Sequence, residues 1–312
     1  MQTDKLPENL YDEIGLLDIL NAIWLSKKFI YILTSIFAIL SIVISLSLNN
    51  SYTANAVLIP TSVKDSNLTA NTLASLTGIN VGNTTRDFNV AIAFINSKKI
   101  IRQLMKHESF LPDLMAAKKW DTNTGSIIYH DDIYDYKNKK WIRNVSLPRQ
   151  KIPSELEAFK LFSKRINVSL DKRKKLITLS VEHISPMVAK QWTQWIIDEA
   201  NLMVASLAIE EAENSIDYLR NQINQTPYAE LRTMFFELIQ QNTQNMMLAK
   251  VNKQYALTIV DPPLIPEAKS KPMRSRIIIF GTLFGGILSI IIVLLRKYGF
   301  NKDDELDIFK LR

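Results

Sequence analysis

The sequence predicts an α+β fold in which two transmembrane helices flank one large domain with a small mixed sheet near the membrane and a long projecting helix. Three observations predict this fold. Uncharged apolar stretches lie near both ends of the 312-residue chain. Alternating apolar segments, typical of strands, lie on both sides of a helical region. Within that region, residues 187–225 hold no glycine or proline and would form a helix of about 60 Å.

The two uncharged stretches are long enough to cross a bilayer. Residues 29–48 and 277–295 contain no charged side chain, and a spanning helix needs about 20 apolar residues. A cleavable signal peptide would have a shorter apolar region and a shorter leader than the 28 residues before the first stretch. The second stretch has basic residues at both ends, which favours a span over a buried core helix. These residues are Arg274, Arg276, Arg296 and Lys297.

Basic residues also predict the orientation. Lys27 and Lys28 precede the first span, whereas the nearest basic residue after it is Lys64, so we expect both termini in the cytoplasm. The predicted organisation is a cytoplasmic tail (1–28), a first span (29–48), a domain outside the cytoplasm (49–276), a second span (277–295) and a cytoplasmic tail (296–312).

The composition and motifs exclude several classes of protein. With no cysteine, the chain has no disulfide scaffold, thiolate nucleophile, Cys-ligated zinc site or iron–sulfur cluster. None of the three histidines lies in a metal-ligand spacing, and the sequence has neither a phosphate-binding GxxxxGK[ST] motif nor a GxSxG elbow. A cation site at His130, Asp131, Asp132 and Asp135 is the weaker alternative to a solvated loop. We therefore predict no enzyme, no metal and no cofactor.

The domain outside the cytoplasm begins and ends with strands. Strands are predicted at Ser51–Pro60, Asn167–Leu170, Leu176–Glu182 and Tyr255–Val260, and the first and last are expected to meet in one sheet. A loop with at most one short helix is predicted at 61–85 and an irregular insertion at 110–153. Helices are predicted at Arg86–His107 and from Ser154, where Glu157 completes a capping box, to near Ile166.

The turn between the two central strands is strongly basic. Lys172, Arg173, Lys174 and Lys175 form its tip and are candidate contacts for an anionic glycan or lipid. A solubilising surface is the alternative. A second basic group, from Lys137 to Arg143, contains Trp141, an aromatic side chain of the kind that suits sugar binding. Nucleic-acid binding is not expected for a domain outside the cytoplasm.

The long helix carries an apolar seam of the coiled-coil type. Its residues recur at spacings of three and four: Ile209, Ala212, Ile216, Leu219 and Ile223. A second helix, predicted from about Tyr228 to Lys250, would cover part of the seam. We expect neighbouring subunits to cover the rest, so the five residues are candidates for subunit packing.

The segment before the second span is rich in proline, and the span itself is rich in glycine. Pro262, Pro263, Pro266 and Pro272 predict a stiff, extended lead. Gly281, Gly285 and Gly286 would let another helix approach closely. The partner helix is left open between the first span of the same chain, a neighbouring subunit and a polymerase. All seven residues are candidates for packing and coupling at the membrane.

Three parts of the sequence resemble Wzz-type chain-length determinants, the polysaccharide co-polymerases of bacterial inner membranes. The first part runs from Asp12-Glu13-Ile14 through Leu17-Asp18-Ile19-Leu20 to Trp24, directly before the first span. The second is Leu179-Ser180-Val181-Glu182-His183 with Pro186, Trp192 and Trp195. The third, Tyr255–Pro266 with the glycine-bearing span, is the most specific. The resemblance covers essentially the whole chain.

The resemblance implies a non-catalytic inner-membrane protein with a large periplasmic domain and an α/β base that carries a long projecting helix. It implies a bell-like homo-oligomeric ring that works with a separate membrane polymerase. Such a ring sets the preferred number of repeats in a lipid-linked polysaccharide, most commonly the O-antigen of lipopolysaccharide.

Two other functions remain as alternatives. One is the membrane component of a capsule or exopolysaccharide export system that works with a separate tyrosine kinase. The other is a two-span receptor, which would need a cytoplasmic output module that tails of 28 and 17 residues are too short to supply.

Overall fold

The computed structural model describes Leu20 and residues 23–61, 84–171, 173–174 and 176–299. The chain forms two compact units. One combines Met1–Asn49 with Lys271–Arg312, and the other is Asn50–Ser270. The predicted loop at 61–85 lies almost wholly outside the described residues, as does the Asp12–Leu17 part of the family resemblance.

The described elements alternate between helices and short strands. The helices are α1 (Lys27–Ser47), α2 (Thr84–Ile95), α3 (Lys98–Leu104), α4 (Phe110–Met115), α5 (Glu155–Phe162), α6 (Pro186–Gln225), α7 (Ala229–Val251) and α8 (Arg274–Leu294). The strands are β1 (Tyr52–Pro60), β2 (Ala117–Trp120), β3 (Ile127–Tyr129), β4 (Tyr134–Asp135), β5 (Lys140–Trp141), β6 (Ile166–Asp171), β7 (Leu176–His183) and β8 (Leu257–Asp261).

The first unit contains α1 and α8, the two helices predicted as spans. Both are long and apolar enough to cross a membrane, with mean hydropathies of 2.5 and 2.8. A π-helical turn at Leu295–Gly299 follows α8 directly. The two helices pack against each other along their lengths.

The second unit is built on a four-stranded sheet with the strand order β6-β7-β1-β8. The prediction that the first and last strands meet is confirmed, because β1 pairs with β8. The prediction of a mixed sheet is wrong, because every pairing is antiparallel. Strands β7 and β8 are parallel to each other, as the helical connection between them allows, but β1 lies between them. No parallel pair therefore forms in this sheet.

One face of the sheet forms the hydrophobic core. Every second residue of β7 is buried, beginning with Ile177 and Leu179, and Ala56 and Leu58 of β1 lie beside them. Helices α2 to α5 and the start of α6 cover this face, and Trp192 of α6 is fully buried among them. We call the sheet, these helices and Pro186–Ala205 of α6 the base.

The long helix is confirmed and extends over 40 residues. It begins at Pro186, where a proline is tolerated because the first helical N–H groups have no intrahelical acceptor. Beyond the base it is accompanied by α7, and the two helices form a hairpin. We call residues 209–246 of this hairpin the distal hairpin.

Two helices differ from the prediction. The predicted helix at Arg86–His107 is two helices, because Ser97 adopts an extended conformation and its hydroxyl accepts a hydrogen bond from the N–H of Lys99, which starts α3. The helix after Ser154 begins as predicted, with the Ser154 hydroxyl accepting from the N–H of Glu157 at 3.2 Å. It ends at Phe162 and not near Ile166, because Ile166 already pairs with Val181 in the sheet.

The insertion at 110–153 is more regular than predicted. It contains α4 and two small antiparallel hairpins, β2–β3 and β4–β5. Asp135 fixes the tip of the second hairpin, because its carboxylate accepts the N–H groups of Lys137 and Asn138.

Candidate functional site

The glycines of α8 face α1 of the same chain. A Cβ added at Gly281 would overlap Ser41, and one added at Gly285 would overlap Phe37. Gly286 is less restricted, since its nearest neighbour would be the Thr34 hydroxyl at 4.0 Å. Of the three partners that the sequence left open, the structure thus places α1 of the same chain against Gly281 and Gly285.

Small hydroxyl side chains line the contact between α1 and α8. Ser41 and Ser289 are buried there, and each hydroxyl donates to a carbonyl of its own helix, Ser41 to Phe37 and Ser289 to Gly286, both at 2.7 Å. Ser41 and Ser289 thus bond within their own helices, whereas the buried hydroxyls of Thr34 and Ser45 on α1 have no hydrogen-bond partner in the described part of the chain.

The proline-rich lead was predicted to be stiff and extended. Between β8 and α8, residues 262–270 contain no helix or strand. Pro263 is buried, Pro266 and Pro272 are half-buried, and Pro262 is exposed. At the end of the lead the N–H of Ser270 donates to the carbonyl of Ser51 at 2.8 Å. This bond brings the first and last residues of the second unit together.

The basic tip of the β6–β7 turn is only partly described. Arg173 and Lys174 are exposed, and their N–H groups donate to the carboxylate of Asp171, which shapes the turn. Lys172 and Lys175 lie outside the described residues. The described part of the tip presents two exposed cations and forms no enclosed site.

The predicted seam is filled by the chain's own second helix. Ala212, Ile216, Leu219 and Ile223 are buried against α7, and Ile209 is half-buried at the edge of the core. Helix α7 contributes half-buried apolar residues to this contact, namely Phe235, Leu238, Ile239 and Met246. The surface that α6 and α7 leave exposed is therefore the one open to a neighbouring subunit.

A buried polar cluster, which sequence reasoning missed, joins the insertion to the sheet. His183 of β7 and Asp113 of α4 are almost fully buried. His183 Nε2 lies 3.0 Å from the Asp113 carbonyl, and Nδ1 accepts the N–H of Ser185, so Nε2 is the donor. The Tyr129 hydroxyl donates to the Asp113 carboxylate at 2.6 Å.

Burial dominates the protonation of this cluster. It lowers the pKa of His183 from 6.5 to about 4, so the imidazole is neutral at pH 7. It also raises the pKa of Asp113 above its usual value, against the opposing effect of the Tyr129 hydrogen bond. Asp113 and His183 are buried, Tyr129 is half-buried, and hydrogen bonds link the three residues, so the arrangement fits a structural role that joins α4, β3 and β7.

Asn201 is a second residue that the sequence did not reveal. It is buried in α6, and its side-chain oxygen accepts the N–H groups of Ala256 at 2.9 Å and Leu257 at 2.8 Å. Its amide nitrogen donates to the Leu257 carbonyl at 3.1 Å. The Asn201 side chain thus links the long helix α6 by hydrogen bonds to the start of β8. Strand β8 follows the helical hairpin in the chain.

The insertion presents a group of aromatic side chains. Tyr136 is exposed and stacks on Tyr129 with ring centroids 5.1 Å apart. Tyr134 contacts both Tyr129 and Trp141. Trp141 was noted from the sequence, but the three tyrosines were not, because only the folded hairpins bring them together.

No group of three or more His, Cys, Asp or Glu side chains in the described part of the chain is arranged to hold a metal ion. His130 lies 3.6 Å from Asp132, and both side chains are open to solvent. The described candidate sites are therefore helix-packing surfaces, exposed basic side chains and a group of aromatic side chains.

Comparison with known proteins gives two family matches. The Wzz model, chain length determinant protein, matches residues 12–108, and the GNVR model, "G-rich domain on putative tyrosine kinase", matches residues 222–298. Among solved structures, a full-length bacterial polysaccharide co-polymerase aligns over 92% of this chain and 99% of its own, with 13% identity and a TM-score of 0.41. A fragment of WzzB, a polysaccharide co-polymerase from Salmonella Typhimurium, aligns over 71% and 100%, with 12% identity and a TM-score of 0.22. No curated protein sequence matches the chain.

Proposed function

Because this chain is a Wzz-type chain length determinant protein, we propose that it is a non-catalytic regulator of the modal length of a lipid-linked surface polysaccharide, namely the O-antigen of lipopolysaccharide. The observation that carries the proposal is the Wzz match at residues 12–108. That range contains α1, β1, α2 and α3, and so joins the first span to the sheet and part of its helical cover.

The proposed setting is the bacterial inner membrane. Lys27 and Lys28 at the start of α1 support cytoplasmic termini, and the second unit would then lie in the periplasm. The bond between Ser270 and Ser51 supports this arrangement, because it brings together the two chain segments that lead into the spans. A unit closed in this way is suited to extend from one side of a membrane.

The proposed mechanism is geometric. A homo-oligomeric ring of these subunits would hold the growing chain or the polymerase, and the dimensions and affinity of the ring would bias when extension stops. The support for subunit contacts is the set of exposed large apolar side chains on the hairpin, since such side chains mark contact surfaces when they cluster. Its members include Tyr218, Leu231, Phe236, Met247 and Leu248.

The membrane segment would couple this ring to a separate polymerase. The four prolines would hold the lead extended, and the paired helices α1 and α8 would present a joint surface to the polymerase. Arg173 and Lys174, with Lys172 and Lys175 beside them in sequence, would contact an anionic glycan or lipid.

The experiment that tests the function is the surface polysaccharide ladder on a gel, with the gene deleted and then restored. We expect deletion to replace a clustered band distribution by a spread of mostly short chains, and the restored gene to recover the cluster. An unchanged ladder, with all surface glycans unaltered, would exclude length control by this protein.

The GNVR match favours a second candidate function. The model's description places its domain on tyrosine kinases, and its range includes α7, the proline-rich lead and α8. A membrane component of a capsule or exopolysaccharide export system, working with a separate tyrosine kinase, would have such a segment. Deletion would then leave the O-antigen ladder unchanged and alter the amount or size of the exported polymer.

A further inference from the structure

A cleft lies where the start of α1 meets the end of α8, within the first unit. Its volume is about 410 Å³. The cations Lys28, Arg296 and Lys297 line it, together with the apolar side chains of Leu25, Phe29 and Val293. The cleft is therefore formed by two separate helix ends and has two chemically distinct parts.

The cationic part comes from both helices. Lys28 lies in the first turn of α1, and Arg296 and Lys297 lie in the π-helical turn that follows α8. All three are exposed, and the described lining residues include no carboxylate. Three cations brought to one cleft attract an anion more strongly than separate surface lysines do.

The apolar lining lies on both sides of the cations, because Phe29 and Val293 belong to the two spans whereas Leu25 precedes Lys28. Val293 is buried, whereas the side chains of Phe29 and Leu25 are exposed. A ligand that satisfies both parts carries a negative headgroup and an apolar chain. Basic pockets between transmembrane helices bind anionic lipid headgroups in this way.

The choice of lipid follows from the position along the helices. The sheet unit leaves α1 after Ser47 and returns at Arg274, the opposite ends of the helices from the cleft. A lipid-linked glycan that meets the sheet unit is therefore at the other membrane face. A glycerophospholipid of the leaflet that contains the termini is the occupant that fits.

We propose that this cleft binds the phosphate headgroup of an anionic glycerophospholipid, with Lys28, Arg296 and Lys297 around the phosphate and the acyl chains directed past Phe29 along the spans. The proposal rests on the membrane topology of the proposed function and not on the identity of the polysaccharide. Bound lipid would hold the N-terminal end of α1 against the C-terminal end of α8.

The test is native mass spectrometry of the full-length protein in micelles that contain phosphatidylglycerol or phosphatidylcholine at equal amounts. We expect the protein to retain phosphatidylglycerol preferentially. The double variant Lys28→Gln, Arg296→Gln should retain it about tenfold less, since each cation contributes to headgroup attraction. The matched control Arg274→Gln, Arg276→Gln removes two cations from the opposite end of α8 and should reduce retention less than twofold.

A second double variant, which preserves the charges, distinguishes loss of binding from loss of folding. Lys28→Arg with Arg296→Lys retains both charges, and we expect it to bind phosphatidylglycerol as the unaltered protein does. Equal losses in the cleft variant and the control, or no loss in either, would overturn the proposal. A stronger retention of a polyprenyl pyrophosphate than of phosphatidylglycerol would overturn the choice of lipid. The polysaccharide ladder reports the proposed function separately, because lipid retention is measured without any glycan.

Discussion

The base and the distal hairpin share one continuous helix but are packed in different ways. In the base, α6 is covered by the sheet and four other helices, and residues such as Trp192, Ile196 and Ile197 are fully buried. In the distal hairpin α6 has one described neighbour, α7, and is buried along a single stripe. Ala249 is the one buried residue of α7, all of which the structure describes.

The base and the distal hairpin therefore depend on different contacts for their stability. The base buries apolar side chains from the sheet and several helices, whereas a two-helix hairpin buries a single stripe and gains less, since isolated helices are marginal in water. We therefore infer that the base sets the stability of one subunit and that the distal hairpin gains most from contact with other subunits.

Removal of the central aromatic side chain should destabilise the base most. Trp192 lies 4.9 Å from Phe110 and 4.8 Å from His183, measured between ring centroids. We expect Trp192→Ala to lower the free energy of unfolding by about 3–5 kcal/mol, because it leaves a cavity. Tyr218→Ala in the distal hairpin, where the side chain is exposed, should change it by less than about 0.5 kcal/mol. Urea unfolding of the full-length protein in detergent, followed by far-UV circular dichroism, measures both; equal losses would contradict the contrast.

Acid should weaken the base through His183. Its pKa is about 4 when folded and 6.5 when unfolded, so the unfolded chain binds the proton more readily. Stability from this residue is complete above pH 6.5 and is lost as the pH falls through 4, by about 3 kcal/mol in total. The raised pKa of Asp113 acts in the opposite direction above its unfolded value of 3.8.

The pH effect is measured by tryptophan fluorescence, since the distal hairpin contains no tryptophan. His183→Gln should flatten the slope of unfolding free energy between pH 4 and pH 6.5. His130→Gln, which alters a solvent-accessible histidine, should keep the slope. A slope that survives His183→Gln would show that another group titrates.

Loss of the Asn201 side chain should weaken the attachment of α6 to the start of β8. Asn201→Ala removes three hydrogen bonds and leaves the N–H groups of Ala256 and Leu257 without this acceptor, so we expect a loss of about 2–3 kcal/mol. Asn214→Ala on the exposed face of the same helix is the control and should be nearly neutral. Hydrogen exchange should show faster exchange at the start of β8 in the first variant only. Unchanged exchange there would mean that the sheet alone holds β8.

The spans offer a matched pair of glycines. Gly285→Ala would overlap Phe37 and should cost about 1–3 kcal/mol of helix–helix packing, whereas Gly286→Ala has room for its Cβ. We expect the first variant to lose the clustered polysaccharide ladder while the circular dichroism of the second unit is kept, and Gly285→Leu to lose it more completely. Two identical ladders for the alanine variants would remove the special role of Gly285.

The smallest effect on one subunit is expected at the surface of the distal hairpin. Phe236 is 55% exposed, so Phe236→Ser should change the stability of one subunit by less than about 0.5 kcal/mol. It should nevertheless shift the full-length protein toward smaller oligomers in mass photometry, if this face contacts a neighbour. Arg232→Ser, an exposed polar position one turn earlier, is the control. Unchanged oligomers in both variants would direct the search to another face.

The sequence predicted those parts of the fold that depend on local signals. The cap at Ser154 and Glu157, the strands around the Asp171 turn and the 40-residue helix each follow from residues close in sequence. The break at Ser97 was missed, because apolar residues continue at helical spacing on both sides of it. The insertion was read as irregular, because strands of two to four residues are too short for alternation to be visible.

The candidate site was less predictable. The glycines and prolines could be selected because their backbone properties are visible in the sequence itself, although their partners could not. Asn201 bonds to residues 55 and 56 positions away, and the Asp113–His183 contact spans 70 positions. Such pairs have no local signal. The seam was predicted as a surface for subunit packing, and the fold was needed to find that α7 of the same chain occupies it.

The continuity of α6 has a mechanical consequence. A helix of 40 residues is a stiff rod of about 60 Å, and its first half is clamped in the base. The other half therefore acts as a lever arm of about 30 Å, on which a tilt of about 10° moves the free end by about 5 Å. A small shift of the buried side chains around Trp192 would thus produce a larger displacement at the far end of α6. A force applied at that end would in turn act on the side chains that hold the first half of the helix in the base.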